Sequence, residues 1–129
     1  MEIKRILICE EDPREAFDFI NKVSDTLKKH GVATSSATHS DEVMLSRYIQ
    51  NEDKIQRAEM VIYFCEELIT KAEENLSSLP ELWVVVFVND LEKARPSKPR
   101  LMVLPKDILG IYQLLEIIGV HDANLNNPA

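Results

Sequence analysis

A chain of 129 residues, 45% hydrophobic and 29% charged, has the size and makeup of one globular domain with one core. Its net charge of −7 sets an acidic surface against phosphate backbones and anionic lipid, which excludes nucleic acid as the expected partner. It holds no stretch of about 18 apolar residues and no basic-then-apolar leader, so the expectation is a cytoplasmic domain without membrane insertion.

The first predicted strand is Lys4 to Cys9, with Ile6-Leu7-Ile8 leaving no face for water. Glu10, Glu11 and Asp12 follow as an acidic cluster at its end. Asp12-Pro13-Arg14-Glu15 then opens a helix, with Asp12 as N-cap, Pro13 at the first helical position and Glu15 three residues after the cap. Ala16, Phe19, Ile20, Val23 and Leu27 recur at helical spacing as its buried stripe. Lys28, Lys29 and His30 place positive charge in the last turn, and Gly31 ends it.

Val32 to Thr38, rich in Thr and Ser, suits an edge strand. The polar connection Thr38-His39-Ser40-Asp41 leads into a second helix capped by Ser40, with Met44, Leu45, Tyr48 and Ile49 facing inward. A short amphipathic turn, Lys54 to Ala58, precedes a third strand, Met60 to Phe64. Residues 66–79 read as a third helix on Leu68, Ile69, Ala72, Leu76 and Leu79, and Leu82 to Val88 as a wholly apolar fourth strand.

The stretch from Asn89 to Arg100 carries two prolines, so we expect an irregular connection there or a single helical turn. Leu101 to Leu104 is the fifth strand. Asp107 caps a last helix whose inward residues are Ile108, Ile111, Leu114, Leu115 and Ile118, and residues 121–129 form a polar tail to a domain spanning 1–120. Apolar strands alternating with amphipathic helices predict a flavodoxin-like three-layer sandwich. Its five-stranded parallel sheet has order 2-1-3-4-5, helices cover both faces, and the fourth helix is irregular or very short.

Function in such a sheet gathers at the carboxyl ends of the strands. With Gly31, Gly110 and Gly119 as the only glycines, there is no phosphate-cradling loop, and no nucleophile elbow or zinc-binding helix motif is present. Cys9 and Cys65 fall at the ends of strands expected to be neighbours. They read as buried thiols sooner than as a redox pair, and no metal site is expected. Glu73 and Glu74 are candidates for acid/base work on the third helix, although their spacing also suits a solvated face.

Two family resemblances come from these residues. Ile6-Leu7-Ile8-Cys9-Glu10-Glu11-Asp12-Pro13 resembles the opening of response-regulator receivers, whose acids after strand one hold magnesium. The receiver phosphoacceptor aspartate would fall at Phe64 or Cys65, the hydroxyl residue after strand four is replaced near Asn89, and Lys106 fits the receiver lysine loosely. That resemblance implies a degenerate receiver, a regulatory partner that works without phosphorylation.

Over about Lys4 to Val120 the pattern also looks like TIR and SEFIR signalling domains. The segments that carry it are Glu11-Asp12 with Phe17, Val23, Leu27 and Gly31-Val32; Lys54 through Cys65; Val85-Val86-Phe87-Val88-Asn89; and Leu104-Pro105-Lys106-Asp107 with Leu114-Leu115. The Ser-Tyr-Ser box that usually ends strand one in these domains is Cys9-Glu10-Glu11 here. The resemblance implies a signalling or adaptor module that associates with itself or a related domain through Thr38, His39, Ser40 and Asp41, without a cofactor. Its enzymatic alternative, an NAD glycohydrolase, would use Glu73 or Glu74 with NAD.

Overall fold

The computed structural model describes residues 3–10, 13–38, 58–64, 70, 74, 82–93 and 100–119. Five parallel strands, β1 (Arg5–Glu10), β2 (Ala33–Thr38), β3 (Met60–Tyr63), β4 (Trp83–Val88) and β5 (Leu101–Pro105), form one sheet of order β2-β1-β3-β4-β5. This is the flavodoxin-like order expected from the sequence. The chain first steps from β1 outward to β2 and then returns to the other side with β3, so the topological switch point lies between β1 and β3.

The three central strands show why an unbroken apolar run makes a good interior ribbon. On one face Ile6, Ile8, Met60, Ile62, Phe64, Val85, Phe87 and Leu104 join a single core with Ile20, Val23 and Leu27 of helix α1 (Pro13–Lys29). Ile111, Leu114, Leu115 and the C-cap Ile118 of helix α2 (Ile108–Ile117) complete that core. The opposite face, Leu7, Cys9, Val61, Tyr63, Val84, Val86 and Val88, is buried as completely. Neither face meets water, as a parallel sheet covered on both sides requires. The edge strand β2, by contrast, is built from Ala, Ser and Thr and leaves Ala33 and Ser36 exposed.

Register and capping follow from local chemistry. α1 ends where Gly31 takes φ +80. There Val32 N donates to Leu27 O at 3.0 Å and Gly31 N to Lys28 O at 3.0 Å, the paired bonds of a Schellman motif. Val32 and Leu27 both enter the core, so the helix exit is fastened by burial as well. His30 adds a side-chain contact, its Nδ1 lying 2.8 Å from Thr26 O in the last turn. At the amino edge of the sheet Glu59 ties three strands. Its backbone N–H donates to Arg5 O, its carbonyl accepts from Trp83 N, and its Oε1 accepts from Lys4 N at 2.9 Å.

Three expectations are corrected. Glu10 is the last residue of β1, paired in register with Thr38, and does not belong to the loop after the strand. Phe64 lies just beyond β3, although it stays buried. Ile108 does not face the core and is 63% exposed. The buried residues of α2 are Gly110, Ile111, Leu114 and Leu115, and Ile108 is its first residue. A Cβ at Gly110 would stand 1.9 Å from Pro105 O, so only a glycine lets the helix start this close to the end of β5.

Between β4 and β5 the described residues hold one 3-10 turn, η1 (Leu91–Lys93), in line with a very short helix. Thr70 and Glu74, between β3 and β4, are helical. The expected second helix, the turn from Lys54 through Arg57, Cys65 and the tail 121–129 lie outside the described residues.

Candidate interaction site at the carboxyl edge of the sheet

Every strand leaves the sheet at the same edge, and the exits bring together residues far apart in sequence. Glu10 of β1 and Thr38 of β2 are register partners, so two of the predicted site residues stand side by side. Glu11, Asp12, His39, Ser40 and Asp41, the rest of the acidic cluster and of the predicted interaction loop, lie outside the described residues. Beyond β4, Asn89 is exposed. Asp90 turns its Oδ1 to accept from Glu92 N at 3.0 Å, which caps η1. Lys106 donates its backbone N–H to Val88 O at 2.9 Å, extending the β4–β5 ladder by one residue. Lys106 thereby sits beside the β4 exit. Asp107 then caps α2, accepting from Gly110 N at 3.0 Å.

The β3 exit is different. It borders the switch point, where an open α/β sheet has its natural crevice. Phe64 occupies it, only 3% exposed. Its ring stacks on Phe87 at 5.5 Å with 15° between planes, and Phe19 of α1 meets both edge-on, 5.0 Å from Phe87 and 6.0 Å from Phe64. A carboxylate at this position would be set against the rings of Phe19 and Phe87, which is costly.

The remaining candidates are dispersed. Glu74 is an exposed helical residue, and Glu73 lies outside the described residues. Cys9 is buried on the face opposite the aromatic trio, and the register Ile8↔Ile62 carries it level with Tyr63. Among the described residues no group of three His, Cys, Asp or Glu side chains could hold a metal ion. No helix of the described residues is long and apolar enough to cross a membrane.

Two features of the site were missed in the sequence. One is the aromatic trio, which only the sheet order assembles. The other is the outer face of α2, where Leu109 and Tyr112 are 56% and 46% exposed. Helical phase carries a signal for it. Leu109 and Tyr112 fall outside the 111/114/115/118 stripe, so two large apolar residues are left over for the solvent side.

These features define a doubly wound α/β domain of flavodoxin-like order in which Phe64, just past β3, is buried. No protein-family model matches the chain, and no curated protein matches it in sequence. Among solved structures the chain is similar to the crystal structure of the phosphorylated cyanobacterial phytochrome response regulator RcpA. That likeness has 14% sequence identity over 98% of this chain and 96% of that chain, with a TM-score of 0.49. A likeness of that size does not bear on what this chain does.

Proposed function

We infer that this domain is a receiver-like regulatory module that works by binding another protein and needs neither phosphorylation nor a cofactor. The observation that carries the reading is Phe64. The exit of the central strand, where a receiver presents its phosphoacceptor, holds a buried ring clasped by Phe19 and Phe87. The phosphoacceptor of a receiver would fall at Phe64 or Cys65, and neither a phenyl ring nor a thiol can form an acyl phosphate. Among the described residues the carboxyl edge also carries Glu10 and Thr38 in register, Asn89 and Lys106, residue types suited to contacts with a partner's surface.

The TIR and SEFIR resemblance leads to the same mode of action, association without catalysis, through the segment Thr38, His39, Ser40 and Asp41. Its NAD-hydrolysing form gains no support from Glu74, an exposed helical residue.

The test is to expose the full chain to acetyl phosphate and magnesium ion and follow its intact mass. An unmodified mass is the expected result. A covalent phosphate on a carboxylate would overturn the phosphorylation-independent reading, and mapping it would show which acid had replaced the missing acceptor.

A further inference from the structure

We draw no further inference here: the strongest candidate, the surface patch that Leu109 and Tyr112 form on the outer face of α2, is an unpartnered apolar face, and nothing in the structure shows what covers it.

Discussion

Phe64 and Phe87 stack with their ring centroids 5.5 Å apart and 15° between planes, one just past β3 and the other near the end of β4. Phe19 of α1 closes on both from the side. The contact joins the central strands to the first helix at the edge where this fold ordinarily keeps its chemistry. It makes that edge part of the core. Replacing Phe64 by Ala should cost about 3–5 kcal/mol, since it leaves a cavity and removes two aromatic contacts. Urea unfolding will show a lower midpoint at an unchanged slope. Phe64→Asp should be worse still, because an ionised carboxylate there would be buried without a partner. A well-folded Asp variant would mean that the exit of β3 is open after all.

Gly31 and Gly110 respond differently to an added methyl group. Gly31 has φ +80 with nothing within 4 Å of its missing Cβ, so Gly31→Ala meets only the left-handed backbone penalty of about 1–2 kcal/mol. At Gly110 the methyl group would collide with the carbonyl of Pro105, and α2 must move off β5 to admit it. Overpacking of this kind costs about 1–3 kcal/mol or more, so Gly110→Ala should lower thermal stability at least as much as Gly31→Ala. Amide hydrogen exchange will separate the two cases. Protection should fall across α2 in Gly110→Ala and stay local to the end of α1 in Gly31→Ala.

Asp107 is a measurable cap. Its side chain accepts from Gly110 N at 3.0 Å, and the residue itself is extended, with φ −154 and ψ −175. Asp107→Ala should cost about 1 kcal/mol, and Asp107→Asn or Asp107→Ser should recover most of it, because the cap needs an acceptor more than a charge. Thermal denaturation of the three variants is sufficient to rank them.

Arg100 stacks its guanidinium 4.6 Å from the centroid of Trp83, the single tryptophan of the chain. This is a surface cation–π contact worth about 0.5–1 kcal/mol. Arg100→Ala should remove that contribution and shift the fluorescence emission of Trp83, which loses its covering charge. An unchanged spectrum would show that the two side chains do not stay together in solution.

Much of this architecture could be read directly from residue order. Ile6-Leu7-Ile8, Met60 to Phe64 and Leu82 to Val88 leave no side for water, and a ribbon without a wet side belongs inside a covered parallel sheet. The Ser- and Thr-rich β2 announced an edge. Gly31 after Lys28-Lys29-His30 announced a helix exit, and the Schellman bonds follow from it. Errors arose where local pattern met a long-range constraint. Ile108 matches the spacing of the inward stripe, but as the first residue of α2 it is 63% exposed. Glu10 looked like a loop acid because it is charged, yet pairing with Thr38 keeps it in the strand.

The candidate site was less legible, for a physical reason. Phe19, Phe64 and Phe87 belong to three separate elements, and no spacing along the chain reveals that they share one point in space. Hydrophobic period and capping chemistry are local, so sequence by itself determined the strands, the helix ends and the order of layers. Whether the crevice at the switch point stands open or filled depends on which side chains three elements bring to the same place. Only the tertiary structure decided that, and it placed a buried ring where a polar group could have stood.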